Sequence, residues 1–311
     1  MIVVIGSINM DLVLRVPRMP LPGETLTGGL FQTIPGGKGA NQAVACARLS
    51  GGGDRMRVAM IGCIGADAFG VALREALRAD DIDDSHVASL PGVASGIASI
   101  LVDANGQNSI VIAGGANDML SPARINAASA LLEQASIVVL QLETPLATVR
   151  HAIRLAHALG KIVVLNPAPA PTAGLPPDML AQVDYLIPNE IEAAMLVGTA
   201  PTDAGGSAAI EAAARKLRAQ GCRNVLITLG AKGIHAALAN TNRHFAAQPV
   251  TAIDTTAAGD TFIGGFVAAL AAGRSEVDAI AFGQRAAAWS VTRVGAQTSI
   301  PHFRDLEPDD R

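Results

Sequence analysis

Six short, nearly unbroken apolar runs, set apart by longer amphipathic stretches, constrain this chain more than any other feature. They are "IVVIG" (2–6), "RVAMIGCIG" (57–65), "SIVVLQLE" (136–143), "KIVVLNPAP" (161–169), "VDYLIPN" (183–189) and "NVLITLG" (224–230). A strand with one wet face alternates apolar and polar residues; a run without alternation marks a strand covered on both faces. The intervening stretches, such as "DAFGVALREALRA" (67–79) and "TPLATVRHAIRLAHALG" (144–160), carry helical periodicity. The expected fold is therefore α/β: a doubly wound, mostly parallel sheet with helices on both faces, formed by a single domain over residues 1–311. In such sheets ligands bind beyond the carboxyl ends of the strands. The residues expected there are Gly6-Ser7, Glu143, Asn166-Pro167, Asn189-Glu190 and Thr228-Leu229-Gly230.

Two segments break the alternation. Residues 10–34 and 95–113 read as short strands and turns, the second as a hairpin centred on Asn105-Gly106, a dipeptide suited to a tight primed turn. They are expected to form a small sheet standing off the main body as a lid. Its unpaired edges predict a homodimer in which two lids pack together. The tract Gly51-Gly52-Gly53 reads as a flexible turn.

Composition removes several functions. The net charge of −4 gives no footprint for nucleic acid or an acidic membrane surface, and no apolar run reaches spanning length. The three cysteines (Cys46, Cys63, Cys222) are scattered, the six histidines form no H-E-x-x-H pattern, and "MIVVIGS" opens directly on a strand with no signal-peptide features. A reducing cytoplasm is the expected setting. The loop after the first strand, Gly6-Ser7-Ile8-Asn9-Met10-Asp11, lacks the glycines of a dinucleotide fingerprint. In "PGGKGANQA" (35–43), Gly39 follows Lys38 where a Walker A loop needs Ser or Thr.

The same loops suit a small polyhydroxylated ligand. Asn9 and Asp11, at alternate positions past a buried strand, point the same way. Lys38 lies between glycines just before the helical run Asn41 to Leu49, where backbone amides are free. Late in the chain, "TTAAGDTF" (255–262) places Asp260 at the mouth of an apolar segment among very small residues. By itself Asp260 reads as a helix cap. Phosphoryl transfer to a hydroxyl supplies another role, since it needs positioning, donors around the developing charge and a base for the alcohol proton.

Taken in order, "GSINMD", "PGET", "GGKGANQA", "QLETP", "LNPAPA", "PNEIEA", "VLITLGAKG", "DTTAAGD" and "VTRVGAQTSIP" resemble the ribokinase (PfkB) family of carbohydrate kinases over essentially the whole chain. The likeness is stronger to its ribokinase branch than to the fructokinase or adenosine kinase branches. It implies ATP-dependent phosphorylation of D-ribose at O5, with Asp260 as general base and the amides of Ala257, Ala258 and Gly259 as anion hole. It implies sugar contacts from Asn9, Asp11, Gly37, Lys38, Asn41 and Glu143. Asn189 and Glu192 match the N-x-x-E motif that organises magnesium and the phosphates, and Thr228, Gly230, Gly233 and Gln284 line the nucleotide site. Asp254, Thr256, Ser290, Arg293, Gly295 and Ser299 match the loops that hold an activating potassium ion. The deoxyribokinase branch tends to carry a different side chain at position 9, so Asn9 implies ribose over 2-deoxyribose. The alternatives are a 2-deoxyribokinase or other sugar or nucleoside kinase, and a non-catalytic sugar-binding relative that uses the same crevice.

Overall fold

The computed structural model describes residues 1–51, 56–200 and 206–306; the glycine turn expected at 51–53 falls largely outside them. Its first seven strands in chain order are β1 (Ile2–Ile5), β2 (Asn9–Arg15), β3 (Phe31–Gly36), β4 (Val58–Gly65), β5 (Asp83–Leu90), β6 (Gly96–Val102) and β7 (Asn108–Ala113). The remaining six are β8 (Ile137–Leu140), β9 (Ile162–Leu165), β10 (Tyr185–Leu186), β11 (Asn224–Thr228), β12 (Ile234–Ala237) and β13 (Asn242–Phe245). Nine of them form the main sheet, in the order β13-β12-β11-β10-β9-β8-β1-β4-β5. All its neighbours are parallel except β11–β12 and β12–β13, which make an antiparallel margin.

β1 explains why the apolar runs are continuous. Ile2 and Val4 face one core and Val3 and Ile5 the other, and all four are buried. The first core is closed by helices α1 (Lys38–Leu49), α2 (Ala68–Ala79), α9 (Ala258–Ala271) and α10 (Glu276–Ser290). The second is closed by α3 (Pro122–Ala127), α4 (Ser129–Gln134), α5 (Leu146–Ala158), α6 (Pro177–Leu180), α7 (Glu190–Leu196) and α8 (Ser207–Ala219). With water excluded from both faces, alternation has nothing to report.

A separate four-stranded sheet, β3-β2-β6-β7, stands apart from the main one, with β2–β6 parallel and the other pairs antiparallel. Residues 16–30, expected to contribute to it, form no strand. The turn between β6 and β7 differs from the expected primed type. Gly106 has φ +78°, but Asn105 does not take positive φ, and Asp103 binds the backbone N–H groups of Asn105 and Gln107 through its carboxylate. A five-residue loop with one left-handed glycine results, with the Asp103 side chain as its organiser.

Helix α9 sets the geometry of the site. It is buried from Asp260 to Ala269 and lies between α1 and α10. A Cβ on Gly264 would come within 2.2 Å of the Ala45 Cβ on α1, and one on Gly265 within 3.0 Å of the Gly283 Cα on α10. The small residues of "IGGFVAALAAG" therefore admit helix–helix contacts that larger side chains would hold apart.

Candidate active site

Asp260 does not cap its helix. The residue at the N-cap position is Ala257, in the left-handed region (φ 57°, ψ 12°), and no side chain caps the helix. The Asp260 carboxylate is buried and turned sideways to α1, where it accepts from Asn41 Nδ2 (3.1 Å) and Gln42 Nε2 (2.8 Å), one on each oxygen. Gln42 also donates to Asn166 Oδ1 (3.2 Å) and accepts from Gln141 Nε2 (2.6 Å). Two side-chain amides thus hold the carboxylate directly, and two more fix Gln42 in place. Asn166 was expected only as one of the residues at the carboxyl ends of the strands, and Gln42 and Gln141 had no expected role. The signal for these two was a polar side chain at a strand end and one on a helix face that otherwise buries small apolar residues.

Around it lie the residues expected to meet a sugar. Gly37 begins α1 with φ +86°, and a Cβ there would lie 2.7 Å from the Asn9 backbone nitrogen, so the two loops approach closely only through glycine. Glu143 accepts from Ser7 Oγ (2.6 Å) and from the Lys38 N–H at the start of α1 (3.2 Å), both on one oxygen. Its other oxygen takes no bond from a described residue. Asn41 Oδ1 is buried with no partner among the described residues, an acceptor left beside the Asp260 carboxylate. Asn9 and Asp11 are both buried, at the start of β2.

The electrostatics tie these residues into one cluster. Burial, then Glu143, then Asp260 push the Asp11 pKa up to about 7. Burial alone would lower Lys38, but Asp260, Glu143 and Glu192 together raise it, so its ammonium persists. Burial and the Asp260 charge raise Glu192 despite the Asn189 amide and Lys38. Asn189 and Glu192 also form a reciprocal capping box at the start of α7: Asn189 N–H donates to Glu192 Oε2 and Glu192 N–H to Asn189 Oδ1, each at 2.8 Å. The N-x-x-E spacing is therefore a folding signal whatever else it does.

At the start of α9, the Ala258 N–H closes a turn onto the Thr255 carbonyl (3.2 Å). Among the described residues nothing accepts from the N–H groups of Ala257, Gly259 or Asp260. The free amides are thus those of Ala257, Gly259 and Asp260, while the Ala258 N–H is engaged in its turn. Beside them opens a largely apolar cavity of about 460 Å³, lined by Thr228, Gly230, Gly233, Ala258, Gly259 and Gln284 among others. Gln284 forms part of its wall, donating to the carbonyls of Phe245 and Ala246 (3.2 Å each). Lys232 lines a different cavity, with Glu190, Glu211, His235, Arg243 and His244, that does not share the Gln284 wall.

The expected cation positions fall in the loop before α9 and in the segment from the end of α10 to Ser299, and Asp254 joins the two. Its carboxylate accepts from the Thr256 N–H (2.9 Å) and hydroxyl (2.6 Å) on one oxygen and from the Gly295 N–H (2.8 Å) on the other. Burial acts to raise its pKa, but these bonds hold it below the usual carboxylate value, so it stays anionic. Ser290 and Ser299 are fully buried, with hydroxyls donating to Ala287 and Ala296 carbonyls. The Arg293 guanidinium stacks over Trp289, which is half-buried against the first core. Among the described residues no three His, Cys, Asp or Glu side chains could hold a metal ion together, and no helix is long and apolar enough to cross a membrane.

A doubly wound sheet, a second small sheet and a buried carboxylate in the first turn of α9 thus meet at one crevice. The family model of the pfkB carbohydrate kinases matches residues 1–302, and the chain belongs to that family. It is 46% identical over 298 residues to the ribokinase of Haemophilus influenzae, covering 96% of this chain and 94% of that one. It is 40% identical over 305 residues to the deoxyribokinase of Salmonella typhi, covering 98% and 97%. The solved structure of the Arabidopsis thaliana ribokinase complexed with ribose and ATP superposes with a TM-score of 0.88 at 31% identity, over 98% of this chain and 96% of that one.

Proposed function

We propose that this chain transfers the γ-phosphoryl group of ATP to O5 of D-ribose, giving ribose 5-phosphate and ADP. The observation that carries the reading is the Asp260 carboxylate, gripped by Asn41 and Gln42 amides and set beside unbonded helix-start N–H groups. Asn9, Asp11, Gly37, Lys38, Asn41 and Glu143 hold the sugar hydroxyls, the unpaired Asn41 oxygen and the free Glu143 oxygen taking hydroxyl hydrogens. Asp260 then receives the 5-hydroxyl proton as the bond to phosphorus forms; the amides of Ala257, Gly259 and Asp260 and the Lys38 ammonium face the developing charge. The nucleotide occupies the cavity walled by Thr228, Gly230, Gly233 and Gln284.

Asn189 and Glu192 organise magnesium. No protein cage exists for it among the described residues, which fits an ion bound chiefly by phosphates and water with one carboxylate behind. When bound it neutralises phosphate charge; this chain's part is to present Glu192 on a capped helix. Potassium fits the carboxylate and carbonyl oxygens of Asp254, Thr256, Ser290, Arg293, Gly295 and Ser299. Its contribution is to stiffen the 254–260 loop that carries the amides.

The small sheet acts as the lid, and two copies pair through it. β7 is exposed along its length, with Ile110, Val111 and Ile112 at 51%, 68% and 48% exposure, and Phe31 on β3 is 57% exposed. A twofold partner covers such a surface; light scattering that finds a monomer at assay concentration overturns the pairing. Three free, buried cysteines fit a reducing cytoplasm. The function itself is tested by incubating the protein with magnesium-ATP and D-ribose in potassium buffer and following phosphorus NMR. A new phosphomonoester coupled to the C5 protons supports it. ATP left unchanged, or phosphate on another oxygen, refutes it.

A further inference from the structure

Asn117 lies on the 3-10 turn Gly115–Met119, where the chain returns from β7 to the main body, and no motif marks it. It is 1% exposed, and its side chain reaches the segment that leaves β1 for β2. Its Oδ1 accepts the Ile8 N–H (2.9 Å), while its Nδ2 donates to Asn9 Oδ1 (2.7 Å) and to the Ile8 carbonyl (3.3 Å).

This chain of bonds has only one polarity. A backbone N–H can only donate, so the Asn117 atom that meets it is the oxygen; the other end of that amide is the nitrogen. The Asn9 atom facing this nitrogen must be an acceptor, which leaves the Asn9 Nδ2 group as the end presented to a ligand. Gly96, paired with Asn9 across β2–β6, makes room for the arrangement. A Cβ there would lie 2.2 Å from Asn117 Nδ2 and 2.3 Å from Asn9 Oδ1. Asp11, two residues on and on the same side of the strand, offers the opposite polarity, an acceptor.

We propose that Asn117 is a positioning residue that sets pentose preference: it locks the Asn9 amide as a donor, and that donor reads the hydroxyl by which D-ribose differs from 2-deoxy-D-ribose. The inference rests on the sugar-kinase reading above. A site that offers a committed donor leaves it unpaired when the sugar lacks the oxygen, which is what makes a polar contact discriminate.

The test is Asn117→Asp, assayed at pH 8.5 so that the new carboxylate is ionised. It still accepts the Ile8 N–H, but its second oxygen meets the Ile8 carbonyl and the Asn9 oxygen with no proton to give, so the Asn9 amide is no longer held in place as a donor toward the ligand. The readout is the ratio of kcat/KM for D-ribose to that for 2-deoxy-D-ribose, which is independent of how much of each preparation is folded. The ratio should fall about tenfold or more, with the change carried by KM for ribose. In an Asn9→Ala background the same substitution should leave the ratio unmoved. A ratio within twofold of wild type, or an equal fall in the Asn9→Ala background, overturns the inference. A wild type that phosphorylates neither sugar overturns instead the functional reading beneath it.

Discussion

Asp11 is held at a cost to the empty protein, and that cost can be measured. Burial and two neighbouring carboxylates raise its pKa from 3.8 to about 7. Because the folded value lies above the unfolded one, the protonated form favours folding. The stability Asp11 contributes is present below about pH 4 and lost as pH rises through 7. Substitution by Asn keeps the shape and removes the charge. The linkage relation puts the ionised Asp11 penalty at about 4 kcal/mol at full ionisation, of which about 2.5 kcal/mol accumulates between pH 5 and pH 8. For a chain of 311 residues that corresponds to a melting difference of about 4 °C between the two pH values. The assay is urea or thermal unfolding of ligand-free wild type and Asp11→Asn at several pH values in that window. The variant should gain on wild type steadily as pH rises, while losing the stabilisation that ribose gives wild type. A stability difference that is the same at pH 5 and pH 8 would refute the argument that Asp11, Glu143 and Asp260 share one desolvated cluster.

Other substitutions probe the remaining parts. Gly264→Ala places a methyl 2.2 Å from the Ala45 Cβ; despite the gain in helix propensity it should destabilise by about 1–3 kcal/mol. By parting α1 from α9 it should also lower kcat more than it raises KM, which unfolding curves and steady-state rates together check. Glu192→Gln preserves the capping box, since Gln serves at that position too; its melting point should stay near wild type while the magnesium needed for half-maximal rate rises roughly tenfold. Replacing potassium by tetramethylammonium should slow wild type several-fold, whereas Asp254→Asn should be slow in either salt; equal rates for wild type in both salts would remove the cation from the account.

The sheet was readable in the sequence where burial on both faces leaves an unmistakable run, as in β1, β4, β8, β9 and β11. It was not readable at the margins. β5 reads "DDSHVASL" and β13 "NRHF", edge strands whose polar residues meet water and so carry no hydrophobic pattern. The same contrast divides the site. Gly37, Asn41, Glu143 and Asp260 sit in compact local motifs, because glycines and a helix start must be near one another in the chain to make an amide-rich corner. Asn117 and Gln141 act on partners 109 and 99 residues away, and only the tertiary fold makes them neighbours. Asp260 shows the reverse risk. Its position at a helix start suggested a cap, but the free rotation of one side chain decides between the backbone below and Asn41 and Gln42 beside it, and the crowded small-residue packing of α1 on α9 favours the second.

The most direct test of the account is ADP release from magnesium-ATP in potassium buffer with D-ribose, for wild type and Asp260→Asn at matched folded concentration. Asn can still accept one amide but cannot take the alcohol proton. The account predicts a fall in kcat of about 10²–10⁴-fold with ribose binding largely retained. A variant that turns over ribose within a few-fold of wild type would contradict the assignment of Asp260 as the base, and with it the reading of this crevice.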